Sequence, residues 1–525
     1  MAGIVELEAG RRLEQDQLDR LKGAEERNRL GQFATPNPLA VAIAAHMLRL
    51  RGDRPGPVRF LDPSIGSGSF YSALRQVSPP GLIGHAAGIE IDPAFAEAAS
   101  HRWGPLGLQV TVGDFTRLDP PPPGSRADLI LANPPYVRHH HLDRDEKRRL
   151  KDLSARRLGV DVSGLAGLYV HFLLLCDAWL EEGGLAAWLI PSEFMDVNYG
   201  AAIKGYLTEQ VRLLQIHRFS PADMQFADAL VTSAVVVFEK DRPEEADTVL
   251  MSSGGPLGPP ELGERITMAD LRAARKWTNY PRENSSAGSG TTATTTLDDL
   301  FTIRRGLVTG SNGFFIMPRD EASRRGLPPR FLRPILPSPR YLKGPIIEAD
   351  AEGYPAGDRP LVLLDCDRPE DEVRREHPSL WSYLQEGVAR GLHEGYLTSR
   401  RSPWYTQERR EPPSFVCTYM GRHRVGRPPF RILWNHSQAV APNVYLLLYP
   451  KGTLLRELEV RPSLYAVVFA LLQEIRPAQF IGEGRVYGGG LHKMEPKELA
   501  ALPAEAILEA AGRPPAPRQT NLTGF

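Results

Sequence analysis

The sequence predicts an α/β fold, a mostly parallel sheet wrapped in helices, followed by a second region of α+β character. Two observations carry this. Between about residues 58 and 240, short apolar runs alternate with helical patterns, as in chains where each strand returns through a crossover helix. At 525 residues, with 42% apolar residues, the chain is also too long for one ordinary core.

Taken in order, the first 30 residues read as a helical extension. Strands are expected at 58–61, 86–91, 109–112, 128–132, 185–190, 213–218 and 230–238, seven in all. The seventh follows no obvious crossover helix, and an antiparallel strand suits that short connection. From 241 to 296 the pattern fails. Residues 252–260 are rich in Gly, Pro and Ser, and 284–296 are almost wholly Ser, Gly, Ala and Thr, compositions of a linker or surface loop. The first domain is therefore drawn at 31–240, a linker at 241–296, a second domain at 297–511 and a loose tail at 512–525.

Lys and Arg together number 63, as do Asp and Glu, so no global field favours a polyanion; any such surface must come from local segregation of charge. Cys176, Cys366 and Cys417 are too far apart for a disulfide framework or a Cys-rich zinc site, and they fit a reducing cytoplasm. The N-terminus carries Glu6 and Glu8 and no apolar run, unlike a signal peptide. The most apolar stretch, 165–180, is broken by His171 and Asp177 and falls short of a membrane span. A soluble intracellular protein is expected.

Four strand ends carry candidate chemistry, which matters because ligands of open parallel sheets bind beyond the carboxyl ends of the strands. The first runs Phe60-Leu61-Asp62-Pro63-Ser64-Ile65-Gly66-Ser67-Gly68 into a helix, so that glycines let backbone approach a ligand at a helix N-terminus. The third Gly of the dinucleotide fingerprint is missing. The second ends Gly88-Ile89-Glu90, an acid placed to accept ribose hydroxyls. The third ends Gly113-Asp114-Phe115, where a carboxylate and a ring suit an adenine. Each acid alone reads as a solvated strand end; three on successive strands do not.

The fourth strand ends Asn133-Pro134-Pro135-Tyr136. An exocyclic amine conjugated to its ring is a poor nucleophile, because its lone pair is delocalised. Two acceptors, the Asn133 side-chain oxygen and the Pro134 carbonyl, would favour a pyramidal nitrogen aimed at a methyl sulfonium. The prolines fix φ and so pre-aim that carbonyl. Tyr136 can stack on a base flipped out of a duplex. The bland alternative is a rigid Pro-Pro turn with a surface Tyr.

In this order the residues resemble the amino-group DNA methyltransferases, most of all the gamma group, and their stand-alone members in type II restriction–modification systems. The likeness reaches back to Gly31-Gln32-Phe33-Ala34-Thr35-Pro36. It implies a class I, Rossmann-like methyltransferase domain with S-adenosylmethionine as cofactor, double-stranded DNA as partner and a C-terminal target-recognition domain. By the same resemblance, Thr35, Asp62, Pro63, Gly66 and Gly68 would hold the methionine moiety, Glu90 the ribose, and Asp114 with Phe115 the adenine. Asn133, Pro134, Pro135 and Tyr136 would form the catalytic loop. The family places a second stacking aromatic after the fifth strand, here Tyr199 or Phe194. Arg305-Gly306-Leu307-Val308-Thr309-Gly310-Ser311-Asn312, Trp404-Tyr405 and Tyr487 to Leu499 resemble signatures of its recognition domain.

Charge agrees locally. Residues 401–431 hold seven Arg against Glu408 and Glu411, and 138–157 hold eight Lys or Arg against four acids. Arg138, Thr309, Asn312, Arg422, Arg424 and Lys493 are the expected DNA contacts; a merely solvated face is the other reading. His139-His140-His141 lacks the further ligands of a zinc site, and no metal is expected. A 5-methylcytosine enzyme needs a Pro-Cys nucleophile, but the cysteines follow Leu175, Asp365 and Val416. N4-cytosine methylation stays open beside N6-adenine. RNA and protein-glutamine methylation would leave the C-terminal region unexplained. A fused nuclease would need a Pro-Asp dipeptide, and none occurs. The expectation is a monomeric prokaryotic enzyme whose cognate endonuclease is a separate protein.

Overall fold

The computed structural model describes residues 2–219, 232–274, 276–282, 295–357, 360–422, 428–477, 479–480, 484–487 and 491–512. The chain divides into two compact units, one over Met1–Ser286 with Tyr487–Gly490 and the other over Ala287–Val486 with Leu491–Phe525.

In the first unit, helices α1 (Ala2–Leu21), α2 (Ala24–Leu30) and α3 (Asn37–Arg51) precede strand β1 (Val58–Asp62). Then follow α4 (Ser69–Val77), β2 (Ile83–Glu90), α5 (Pro93–Trp103), β3 (Leu108–Val112), β4 (Ala127–Ala132), α6 (Arg144–Leu158), α7 (Leu168–Leu175) and β5 (Leu180–Pro191). The unit closes with α8 (Ala201–Glu209), β6 (Arg212–Arg218), β7 (Ser233–Glu239), β8 (Thr248–Ser253), β9 (Leu262–Thr267) and α9 (Met268–Ala273). The helix ends follow local chemistry. Asp92 caps α5 through its bond from the Ala94 N–H, and Pro93 occupies a first-turn position. Asp143 caps α6, which carries Asp145 and Glu146 in its first turn, Arg156 and Arg157 in its last, and Gly159 at φ +68° as its stop.

All nine strands form one sheet, in the order β3-β2-β1-β4-β5-β7-β6-β8-β9. β1 to β5 are mutually parallel, and β7 lies antiparallel between β5 and β6, as the short connection suggested. Alternate strand residues face opposite sides. Leu61, Ile130 and Trp188 pack with α7 and α8, while Phe60, Leu129 and Leu189 pack with α3 and α4. The expected class I fold is therefore present, with two strands more than the seven expected. These come from the stretch read as linker. β8 pairs in parallel with β6, and β9 antiparallel with β8, on either side of the Gly- and Pro-rich turn that dominated the composition. The expected start of the seventh strand, 230–231, and the tail 513–525 lie outside the described residues.

The second unit is α+β and built of short strands. β10 (Phe301–Arg305), β11 (Ile316–Pro318), β12 (Leu332–Ile335), β13 (Ile346–Ile347), β14 (Leu361–Leu364), β15 (Phe415–Thr418), β16 (Met420–Arg422), β17 (Ile432–Asn435), β18 (Tyr445–Pro450), β19 (Arg485–Tyr487) and β20 (Leu491–Lys493) form three sheets. Their orders are β10-β18-β15-β17-β13, β11-β14-β12 and β16-β20-β19. Three separate apolar clusters hold this unit, and Trp404 and Tyr405 are buried in one of them.

Candidate functional site

The carboxyl ends of β1 to β4 open into a cavity of about 300 Å³. At its floor the chain turns sharply after Asp62. Gly66 and Gly68 take φ of +53° and +93°, a region that favours glycine. The Gly66 N–H donates to Glu90 Oε2 at 2.9 Å, and the Asp92 N–H donates to Glu90 Oε1 at 3.0 Å, so the ends of β1 and β2 are locked together. Gly68 does not line the cavity, contrary to its expected role as a ligand contact. A Cβ there would meet the Trp103 indole at 2.6 Å, so its place is set by packing.

Asp62, Pro63, Gly66, Glu90, Asp114, Phe115 and Thr35 all line the cavity. Burial pushes the Asp62 carboxyl up to about 8; the Ser64 N–H at 3.0 Å opposes the rise, and the charge of Glu90 adds to it. Glu90 is likewise raised, again mainly by burial. Asp114 Oδ1 accepts the Thr116 N–H at 2.9 Å and hydroxyl at 2.7 Å, and Oδ2 pairs with Arg117 at 3.1 Å, so part of its acceptor capacity is spent on the turn. Phe115 is buried against Phe172 and Trp179, with ring centroids 5.1 and 5.4 Å away.

Asn133 is the most constrained polar group. Its Nδ2 donates to the Phe33 carbonyl at 2.8 Å and to Thr35 Oγ1 at 3.1 Å. Because a carbonyl can only accept, the amide nitrogen must face Phe33, which fixes the orientation of the group. Oδ1 is left buried and without a hydrogen-bond partner. A buried acceptor of this kind carries a desolvation penalty that an incoming donor would relieve. The loop itself is seated by Gly31. The Tyr136 N–H donates to the Gly31 carbonyl at 3.1 Å, and a Cβ on Gly31 (φ +66°) would lie 2.4 Å from that nitrogen.

Other expected residues fall differently. Pro135 lines the cavity, whereas Pro134 is buried. Tyr136 is buried too, its hydroxyl donating to the Leu189 carbonyl at 3.0 Å and its ring 5.7 Å from that of Phe33. This corrects the picture of an open stacking surface, since a hydrophobic ring ending the fourth strand packs against the fifth. Tyr199 is half-buried, its hydroxyl on Glu193, and Phe194 is core. Arg138 is exposed. Thr309 is fully buried, and its hydroxyl bonds Asn312 at 2.7 Å and the Ser311 N–H at 3.1 Å. It shapes a turn rather than offering a surface contact, whereas Asn312 is exposed. Arg422 is exposed, and Lys493 pairs with Glu495 at 2.6 Å. Arg424 lies outside the described residues.

The basic run 138–157 is not simply a phosphate-binding face. Arg148, Arg149, Lys151 and Arg157 pair with Asp145, Glu146, Asp161 and Asp119. Arg149 also reaches the Thr116 carbonyl at 3.0 Å, so part of the run braces the cavity wall. Glu146 itself lines the cavity, as do Gln15 and Asp19 of α1, and none of these three was singled out from the sequence. For the two α1 residues the only signal was spacing, since Glu8, Arg11, Gln15, Asp19 and Lys22 recur every three or four residues.

The lining thus carries five carboxylates (Asp19, Asp62, Glu90, Asp114 and Glu146) and, among the described residues, no Lys, Arg or His. Such a cavity suits a cation with hydroxyl and amino donors. S-adenosylmethionine, a sulfonium with an α-ammonium, ribose hydroxyls and an adenine amine, fits these residues; when bound it supplies an activated methyl group.

Comparison with known proteins agrees. Residues 276–520 match the family model described as the C-terminal domain of type II methyltransferase M.Eco57I, and residues 125–226 match that of the Eco57I restriction-modification methylase. The chain is 29% identical over 483 residues to type II methyltransferase M.XamI of Xanthomonas campestris pv. amaranthicola, covering 90% of this chain and 85% of that protein. It is 26% identical over 495 residues to M.AccI of Acinetobacter calcoaceticus, with the same shares covered. Among solved structures, the type IIL restriction-modification enzyme MmeI in complex with DNA has a similar fold. Its TM-score is 0.51 at 14% identity, over 83% of this chain and 65% of that one. These matches support a type II restriction–modification methyltransferase, with S-adenosylmethionine as its cofactor.

Proposed function

We propose that this type II methyltransferase transfers a methyl group to the N6 amine of an adenine flipped out of duplex DNA. The observation that supports this most is the Asn133 amide, with its nitrogen committed to Phe33 and Thr35 and its buried oxygen unsatisfied. An amine entering the site donates one N–H to that oxygen and the other to the Pro134 carbonyl. The nitrogen lone pair is thereby drawn out of conjugation and attacks the methyl carbon. S-adenosylmethionine held there would supply the methyl group and leave as the neutral thioether, and the methylated amine would lose its extra proton. No side chain becomes a covalent nucleophile. Tyr199, half-buried and held on Glu193, is the ring that would stack on the base, while the buried Tyr136, held on Leu189, would brace the loop.

The second unit supplies sequence choice, with Asn312, Arg422 and Lys493 among its DNA contacts. The chain acts as a monomer in a prokaryotic cytoplasm, and cleavage belongs to a separate protein. The test is to incubate the protein with unmethylated duplex DNA and labelled S-adenosylmethionine, then digest to nucleosides. Label in N6-methyladenine is expected. Label in N4-methylcytosine, or only in RNA or protein, would overturn the reading.

A further inference from the structure

The helix α1 carries charge where a surface helix should not. Glu8, Arg11 and Gln15 lie on one face, at 5%, 3% and 8% exposure. Their partners are the residues that shape the cofactor turn. Arg11 Nη1 donates to Ser67 Oγ at 2.8 Å, Ser67 Oγ donates to Gln15 Oε1 at 2.6 Å, and Ser72 Oγ donates to Glu8 Oε2 at 2.7 Å. A buried ion pair adds little stability over a well-packed apolar contact, so adhesion alone does not account for this network. It does fix the helix against the Gly66–Gly68 turn, and the next helical turn then faces the cavity.

That turn presents Asp19. Its Oδ1 accepts from Gln15 Nε2 at 3.1 Å, and the nearby Arg27 guanidinium donates to its backbone carbonyl at 2.7 Å rather than to its carboxyl. Beyond it, Lys22 bonds both Asp92 and Gln32, which ties the end of α1 to the turn just past the Glu90 strand end. Asp19 is therefore held at the cavity with acceptor capacity to spare.

Resting on the cofactor assignment above, we propose that α1 belongs to the cofactor site and that Asp19 accepts the α-ammonium of S-adenosylmethionine. The cofactor has three donor groups. Glu90 faces the ribose hydroxyls and Asp114 the adenine amine. Asp62, also expected at the methionine moiety, is 2% exposed and already takes the Ser64 N–H, so the less buried Asp19 is the acceptor left for the ammonium.

The test is a ligand comparison by calorimetry. S-adenosylhomocysteine carries the ammonium, whereas 5′-methylthioadenosine keeps the nucleoside and lacks it. Asp19→Asn should weaken S-adenosylhomocysteine about tenfold or more, the scale of a hydrogen bond to a charged group, and leave methylthioadenosine within about twofold. Retained methylthioadenosine binding also shows that the variant's cavity is folded. Equal losses for both ligands, or no loss for either, would overturn the assignment. Failure of the unaltered protein to bind S-adenosylhomocysteine would instead sink the cofactor reading on which it rests.

Discussion

Around the cavity of the first unit charge is buried and committed, whereas in the second unit many arginines lean on aromatic rings. Asp62, Glu90 and the Glu8–Arg11 pair all sit below a tenth exposed around one cavity. Of the eleven cation–π contacts among the described residues, eight lie in the second unit. The Arg305 guanidinium lies 4.3 Å from the Tyr419 ring centre, and that of Arg400 lies 3.6 Å from Tyr396. A ring steadies an arginine arm while leaving its N–H groups available to solvent or phosphate. One unit uses charge to shape a pocket; the other, on the reading proposed above, keeps cations ready for an extended anion.

The contrast is easiest to break at the centre of the cavity. Asn133→Ala should cut turnover by about 10²–10³-fold while changing cofactor affinity by less than about threefold, read by steady-state transfer and by calorimetry. Activity within about tenfold of the unaltered protein would remove the amide from the chemistry.

A smaller effect probes buried charge directly. The Asp62 carboxyl, raised by burial to about 8, holds its proton in the folded protein at pH values where the unfolded chain has lost it. Its contribution to stability is fully present below about pH 4 and is lost as pH rises through about 8. Without ligand, the melting temperature should fall across that window. A cationic ligand favours the ionised form, so S-adenosylmethionine should bind with proton release. Its affinity should rise by up to about tenfold per pH unit between 6 and 8, then level off. Asp62→Asn should flatten the profile, and a flat profile in the unaltered protein would contradict the picture of an uncompensated buried acid.

The smallest effect belongs to the second unit. Arg305→Ala and Arg422→Ala should each weaken duplex binding about three- to tenfold and lower the salt slope by about one, with cofactor affinity unchanged. Binding curves at several salt concentrations would show it. No change at any concentration would leave these arginines as ordinary surface residues.

The same division governs what could be read from sequence. Asp62, Glu90, Asp114 and Asn133 were legible because each ends an apolar run of one continuous sheet, where position and chemistry coincide. Gln15, Asp19 and Glu146 were not, because a polar residue on a helix looks the same whether it faces a cavity or water. The burial of Tyr136 and Thr309 was equally hidden, since motif matching fixes identity and not exposure. In the second unit, strands of two to six residues, such as Ile346–Ile347, are too short to show a period of two. Its elements became readable only through pairing between distant segments, such as Phe415 with Leu448.

The pair β8 and β9 decides where the first unit can be cut as a piece. A fragment stopped at residue 240, where composition suggests an end, would strip β6 of its parallel partner and turn 215–218 into an open edge. Edges of that sort recruit strands from other molecules, and aggregation follows. In the intact chain the strand at that edge is β9, which carries Glu264 and Arg265 and is largely exposed. Charged outer strands discourage self-association, so the two strands hidden in a Gly-Pro-rich stretch also act as the sheet's guard against its own copies.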